Sequence, residues 1–156
     1  MRPLRLLAIV LTLAWALWFG GLITLFLAVT SLFTTFDTDR SLAGTAAAGI
    51  FRRFESYQLV LAAVALVTAA TWRASRPPRP RSNTVVLVFL ALAAVVAVSS
   101  TFAVSRRIEK LRRQSLTATP EFRRLHGVSM GLYTGEAALL LAAGLALPSA
   151  VSSSCN

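Results

Sequence analysis

The last hydrophobic stretch of the chain carries four polar residues at helical spacing. These residues are His126, Ser129, Tyr133 and Glu136. On an α-helix, which turns about 100° per residue, their positions fall within an arc of roughly 80°. Glu136 lies in a long uncharged segment, and a carboxyl group at such a place in a bilayer is a functional candidate by default. The chemistry that this polar stripe could support is the binding or transfer of a proton or a small cation, with His126 as a gate.

The residue types argue against most other chemistry at this stripe. Bis-histidine haem ligation needs two histidines, and the chain has one, so a second ligand would have to come from another copy or from a methionine. His126 and Glu136 are about 15 Å apart along one helix, which is too far to share a metal ion. Catalysis needs several groups that converge on one point, and the apolar runs contain a single carboxylate. The sequence therefore predicts no cofactor, no metal and no enzymatic activity.

A second stripe on the same segment consists of glycines. Gly127, Gly131 and Gly135 recur every four residues and fall on a different side of the helix from the polar stripe. Small residues at this spacing let the backbones of two membrane helices approach closely. We therefore predict that this glycine face packs against the pair Gly20-Gly21 in the first apolar run.

The elements that must position these stripes are four long apolar segments. Of the 156 residues, 56% are hydrophobic and 14% are charged, whereas a soluble domain has about 25% charged residues. The mean hydropathy is +0.67, and a membrane-spanning helix needs about 20 apolar residues. The sequence predicts one domain over residues 1–156, an all-α integral membrane four-helix bundle with short interfacial amphipathic segments. The predicted spans are residues 6–34, 54–72, 83–106 and 121–147.

Several boundaries of these spans can be predicted from local sequence. The first apolar run exceeds the 7–15 residues of a signal-peptide core, which favours an uncleaved anchor. Residues 46–51 are expected to lie obliquely at the interface before span two, and residues 106–115 to continue span three as an amphipathic surface helix. The uncharged runs of spans two and three, residues 56–72 and 82–105, contain no ionisable residue. Thr119 and Pro120 predict that the helix of span four begins near residue 120.

The net charge of +10 lies mostly in the connections between the spans. No aromatic stacking platform accompanies the arginines, so the pattern predicts anionic lipid headgroups as partners and no nucleic acid. The number of basic residues favours a cytoplasmic location for the link between spans three and four, whereas Arg2 and Arg5 before span one favour the opposite orientation. Both orientations stay open. The predicted headgroup contacts are Arg73, Arg76, Arg79, Arg81, Arg106, Arg107, Arg112 and Arg113.

Four parts of the chain carry a family resemblance: Trp18-Phe19-Gly20-Gly21, Phe33, residues 43–51 and residues 122–129, which contain the Leu-His-Gly-x-Ser motif. With these motifs the chain resembles, from about residue 6 to residue 147, the bacterial domain of unknown function 4149 and its relatives, the transmembrane protein 205-like proteins. One departure is Tyr133, where the family often has asparagine. A phenol cannot offer the donor and acceptor pair of an amide. The resemblance implies a four-span membrane protein and no particular reaction.

Two hypotheses for function follow from the stripes. In the first, the protein is a structural or accessory subunit whose glycine face packs with other membrane helices, in a partner protein or a homo-oligomer. In the second, Glu136 is a site for transport of a proton, a cation or a small solute. The first is favoured because no ionisable partner for Glu136 is expected on the other spans. Without such a partner Glu136 would stay neutral or accept hydrogen bonds from Thr12, Thr24 or Thr30 of span one. The preference for Arg over Lys and the abundance of Ala suggest a GC-rich bacterial genome, and therefore a bacterial plasma (inner) membrane.

Overall fold

The protein is a bundle of long antiparallel helices in this computed structural model, which describes residues 2–75 and 81–152. Within those residues there is no β-strand. Four helical segments are long and apolar enough to cross a membrane, with α3, the π-helical turn and α4 forming one of them. The prediction of an all-α four-helix membrane bundle is confirmed. The elements are α1 (Arg2–Thr35), α2 (Arg40–Ala74), α3 (Arg81–Ser99), a π-helical turn (Ser100–Ser105), α4 (Arg106–Arg113) and α5 (Pro120–Ser152).

The spanning helices form a closed ring in which each packs against two others. The contacts run from α1 to α2, from α2 to α3, from α3 to α5 and from α5 back to α1. The α1–α2 and α4–α5 connections lie at the same end of the bundle, which we call the cavity end. Because the connections are short, sequence neighbours run antiparallel and the ring surrounds one shared interior.

The starts of two helices are fixed by side-chain caps. The Asp39 Oδ1 atom accepts a hydrogen bond from the Leu42 amide at 3.0 Å, and the Thr119 Oγ1 atom accepts one from the Phe122 amide at 3.3 Å. Each cap satisfies an amide that has no partner within the first helical turn. Helix α5 begins at Pro120, where the sequence predicts it.

Helix α2 differs from the predicted oblique lead-in, because it is continuous from Arg40. Ala43 and Ala47 in its first turns are buried. The Arg112 Nη1 atom of α4 also donates a hydrogen bond to the Gly44 carbonyl at 2.8 Å. These contacts attach the first turns of α2 to the bundle, and an unbroken helix satisfies its own backbone groups at the membrane boundary. Residues 46–51 are therefore part of α2.

The bundle half away from the cavity end has a mostly apolar interior of small and branched side chains. Leucines from three helices, Leu11, Leu90 and Leu140, are fully buried there. Alanines fill the spaces between them, which allows the helices to approach closely. The buried alanines are Ala14, Ala62, Ala65, Ala69, Ala93, Ala94, Ala97, Ala143 and Ala150.

The predicted contact between the glycine face and Gly20-Gly21 is absent from the structure. A Cβ atom placed on Gly20, Gly127, Gly131 or Gly135 would have no neighbour within 4 Å, whereas one on Gly21 would meet the Tyr57 and Phe54 rings of α2. At about 100° per residue the three α5 glycines lie nearly opposite the polar stripe. Because the stripe faces inward, the glycine face points out of the bundle.

Helices α1 and α5 instead approach at a glycine that the sequence pattern did not single out. A Cβ atom on Gly144 would overlap the Trp15 indole ring. The Trp15 Nε1 atom donates a hydrogen bond to the Leu140 carbonyl at 2.7 Å, so this indole joins α1 to α5. The close approach of α1 and α5 therefore depends on Gly144.

Candidate functional site

The polar stripe of α5 enters the interior of the bundle from its cavity end. Ser129, Tyr133 and Glu136 are buried, and the side chain of Glu136 is fully enclosed. His126 is exposed and stacks on Phe122, with the ring centroids 6.4 Å apart. No hydrogen bond between the described residues joins His126 to Ser129. The stripe therefore runs from an exposed imidazole to an enclosed carboxyl group.

The carboxyl group of Glu136 is held by α1. The Trp18 Nε1 atom donates a hydrogen bond to Glu136 Oε1 at 2.8 Å, and both side chains are buried. The other oxygen, Oε2, has no hydrogen-bond partner among the described residues. The three threonines that were expected as donors bond to carbonyls of their own helix instead: Thr12 to Ala8, Thr24 to Gly20 and Thr30 to Phe26.

A second buried carboxyl group belongs to α2, one residue before the run of span two that contains no ionisable residue. Glu55 is 9% exposed, and the Tyr133 hydroxyl donates a hydrogen bond to its Oε1 atom at 3.3 Å. The Tyr133 ring packs between Phe51 and Phe54, at centroid distances of 5.4 and 6.5 Å. Tyr133, one helical turn from Glu136, thus lies next to the other carboxyl group of the interior.

The sequence contains a pattern that would have predicted the burial of Glu55. Glu55, Gln58, Ala62, Ala65 and Ala69 recur at intervals of three or four residues and are all buried. Small residues on one helical face mark the side that packs against other helices. Extending the alanine stripe of span two toward its start leads to Gln58 and then Glu55, whereas considering only the uncharged run from Ser56 hides this continuity.

The π-helical turn supplies the third side of the polar cluster. The Gln58 Nε2 atom is 3.5 Å from the Thr101 Oγ1 atom, and Ser105 lies beside Glu55. Ser100 is fully buried next to the Tyr133 phenol, but its Oγ atom has no hydrogen bond of good geometry in the described residues. A π-helical turn changes the direction of its side chains relative to an α-helix and is frequent at functional sites. Here it coincides with hydroxyl side chains that face the polar cluster.

A cavity of about 1010 Å³ opens at the cavity end above these groups. It lies between the end of α1, the start of α2, the π-helical turn with α4, and the start of α5. Glu55, Ser105, His126 and Ser129 line it, whereas Tyr133 and Glu136 lie deeper in the bundle. The cavity is therefore a wide vestibule with Glu55 in its lining, and Tyr133 and Glu136 are enclosed beneath it.

The arginines that were predicted to contact headgroups have varied surroundings. Arg76 and Arg79 lie outside the described residues, and Arg81 is exposed. The other five contact protein groups, as follows: Arg73 donates to Thr84, Arg106 lies over Phe102, Arg107 pairs with Glu121, Arg112 donates to Gly44, and Arg113 pairs with Glu109. Contact with lipid headgroups stays a prediction for all eight.

These features define a four-helix membrane protein whose interior holds a polar cluster beneath a cavity at one end. Its family follows from comparison with family models, because residues 13–116 match the Domain of unknown function (DUF4149). The match covers two thirds of the 156 residues, and the chain belongs to this family. No match was found among curated proteins or among solved structures. Glu55 and the π-helical turn lie within the matched residues, whereas Tyr133, Glu136 and the Leu-His-Gly-x-Ser motif lie beyond them.

The described residues contain no group of three or more His, Cys, Asp or Glu side chains that could hold a metal ion. The two carboxyl groups of the interior, Glu55 and Glu136, reach different atoms, the Tyr133 hydroxyl and the Trp18 indole nitrogen. This arrangement has acceptors and donors at several depths.

Proposed function

We propose that this protein is a small membrane transporter that moves a proton or a small cation through the interior of its helical bundle. The observation that carries the proposal is the pair of buried carboxyl groups, Glu55 and Glu136, on either side of Tyr133. Buried acids in membrane proteins face the bundle interior and mark ion and proton routes. The sequence argument against transport was that Glu136 lacked an ionisable partner, and Glu55 supplies a second acid.

In this proposal the ion enters through the vestibule and meets Glu55 first. Glu55 lines the cavity and is the shallower of the two carboxyl groups. The Tyr133 hydroxyl can donate to Glu55 or accept from a neighbour, so it can pass a proton deeper. Glu136 is the deep site, with one oxygen held by Trp18 and the other free to bind. Sixteen residues of α5 precede Glu136 and sixteen follow it, so it lies at the middle of that helix.

Transport also needs a route from Glu136 to the opposite end of the bundle. That half of the interior is mostly apolar, with Leu11, Leu90 and Leu140 fully buried. The proposal therefore includes a second conformation in which α1 and α5 separate there and Glu136 faces the other side. Such alternating access around a fixed midplane site is the usual arrangement in secondary transporters. The host membrane is proposed to be a bacterial plasma membrane.

The Tyr133→Phe variant tests the link between the two carboxyl groups. It removes one hydroxyl and keeps the ring between Phe51 and Phe54, so we expect the fold to persist and ion flux to fall severalfold. The measurement is the fluorescence of a pH-sensitive dye enclosed in proteoliposomes, under imposed proton, sodium and potassium gradients. Thr134→Val is the matched control, because Thr134 is exposed and bonds only to Met130 of its own helix. Wild-type flux equal to that of protein-free liposomes under every gradient would refute the transport proposal.

The exposed glycine face of α5 supports a second candidate, an accessory subunit that packs against another membrane protein. Nothing in the described chain lies within 4 Å of a Cβ atom placed on Gly127, Gly131 or Gly135, so a partner backbone has room to approach. We expect Gly131→Leu to abolish co-purification of such a partner after mild detergent extraction while helix content is retained. Leu145→Val, at an exposed position on the same side of α5 but about 15 Å along the helix from Gly135, is the control. Equal recovery of the partner with both variants would exclude this face as the interface.

A further inference from the structure

The lining of the cavity carries a surplus of positive charge, with five arginine or lysine side chains against two glutamates. Arg52, Arg106 and Lys110 belong to this lining, and none of them forms a direct ion pair with another described residue. Arg112 also lines the cavity and donates to the Gly44 carbonyl, which is uncharged. Arginines on a concave surface are the usual recognition groups for phosphate, which they bind through two parallel N–H donors.

The same cavity has apolar walls that a small inorganic anion would not use. Val29 and Phe33 of α1, Phe51 of α2, and Met130 of α5 line it together with the cations. Phe33 and Met130 are 42% and 39% exposed, so their apolar surfaces are available to a ligand. A volume of about 1010 Å³ is at the upper end of the range for sites that hold a drug-sized molecule. The lining thus combines phosphate recognition with apolar contact.

The position of the cavity along the helices places it at the level of lipid headgroups. Arg73 and Arg53 are twenty residues apart on α2, which corresponds to about 30 Å, the thickness of the hydrocarbon core. The cavity is lined on α2 by residues from Gly44 to Glu55, which lie outside the Arg53 boundary or within two residues of it. A molecule at this depth would have its polar group in the interface and its apolar part toward the hydrocarbon.

From these three observations we propose that the cavity is a binding site for the phosphate-bearing headgroup of an anionic membrane lipid. Arg52 and Arg106 bind the phosphate, Lys110 adds a third positive charge, and the acyl chains lie along Phe33 and Met130. Charge-assisted hydrogen bonds of this kind are about twice as strong as neutral ones. The proposal rests on the lining of the cavity and not on ion transport, and a bound lipid would share the vestibule with an entering ion.

The test uses two double variants that remove equal charge from neighbouring positions. Arg52→Gln with Arg106→Gln removes the two cavity arginines, and Arg53→Gln with Arg107→Gln removes their sequence neighbours, which do not line the cavity. Full-length protein in a non-ionic detergent is titrated with short-chain phosphatidylglycerol, and bound lipid is measured by native mass spectrometry. We expect about tenfold weaker binding for the cavity pair and less than about twofold for the neighbouring pair. Short-chain phosphatidylcholine is expected to bind wild type more weakly than phosphatidylglycerol does.

Other outcomes would overturn the proposal in distinguishable ways. Equal losses for the two pairs would mean that the lipid responds to overall surface charge. Displacement of the lipid by an equimolar amount of inorganic phosphate would mean that the site recognises the free anion and not an amphiphile. Equal affinities for phosphatidylglycerol and phosphatidylcholine would mean that the site does not distinguish an anionic lipid from a zwitterionic one. If the cavity pair has reduced helix content, Lys110→Gln replaces it, since Lys110 is exposed, and unchanged lipid binding by that variant would also count against the site.

Discussion

Replacing Glu136 with glutamine is expected to abolish ion flux and leave the fold intact. The amide oxygen of glutamine can still accept the hydrogen bond that the Trp18 indole donates to Glu136 Oε1 at 2.8 Å. The variant cannot take up or release a proton, and it offers no negative charge to a cation. The amide nitrogen of glutamine would take the place of the unpartnered Oε2 atom, so one buried polar group stays without a partner and the variant should melt near the wild-type temperature.

Two measurements on the same preparation decide this prediction. Dye-loaded proteoliposomes report flux, and circular dichroism during heating in detergent reports the fold. Glu121→Gln is the matched control, because Glu121 is an acid of the same helix that lies at the surface and pairs with Arg107. A Glu136→Gln protein with full flux would show that Glu136 is not the ion site. A Glu136→Gln protein that loses its helical structure would show instead that the carboxyl group has a structural role.

Replacing Gly144 with alanine is expected to cause the largest loss of stability among single-methyl additions to α5. The new Cβ atom would overlap the Trp15 indole ring. The indole has little freedom to move, because its Nε1 atom bonds to the Leu140 carbonyl at 2.7 Å and its ring stacks on Phe19 at a centroid distance of 5.9 Å. Overpacking of a well-packed contact costs about 1–3 kcal/mol. We expect a loss in that range for the free energy of unfolding.

The Gly131→Ala variant provides the matched control on the same helix. A Cβ atom on Gly131 meets nothing within 4 Å, so the free energy of unfolding should be unchanged or slightly higher, because alanine favours the helix. Unfolding of both variants in mixed micelles of detergent and denaturant gives the comparison. Equal stability of the two variants would mean that α1 and α5 do not approach each other at Gly144.

The architecture and the direction of the α5 stripe could be predicted from the sequence because each depends on local properties. Uncharged runs of about 20 residues specify spanning helices, since a bilayer offers no partner for unsatisfied backbone groups. The start of α5 follows from Thr119 and Pro120, whose capping chemistry involves only the next few residues. The inward direction of Tyr133 and Glu136 follows from helical periodicity and the cost of exposing a carboxyl group to lipid.

The partners of these residues could not be predicted, because they depend on which helices become neighbours. Trp18 is 118 residues from Glu136 in the chain, and Glu55 is 78 residues from Tyr133. Nothing in either segment alone specifies those pairs. The glycine prediction was wrong for the same reason, since spacing shows that Gly127, Gly131 and Gly135 share a face but not what that face meets.

The sequence by itself determined that this is a four-span helical membrane protein with an acid near the middle of its last helix. Hydropathy, helical period and capping are properties of short segments, and each segment carries them wherever it packs. Only the tertiary structure decided that Glu55 joins the interior, that the π-helical turn faces Tyr133 and that the cationic residues surround one cavity. These are properties of the closed ring of helices, in which side chains of four segments face one interior.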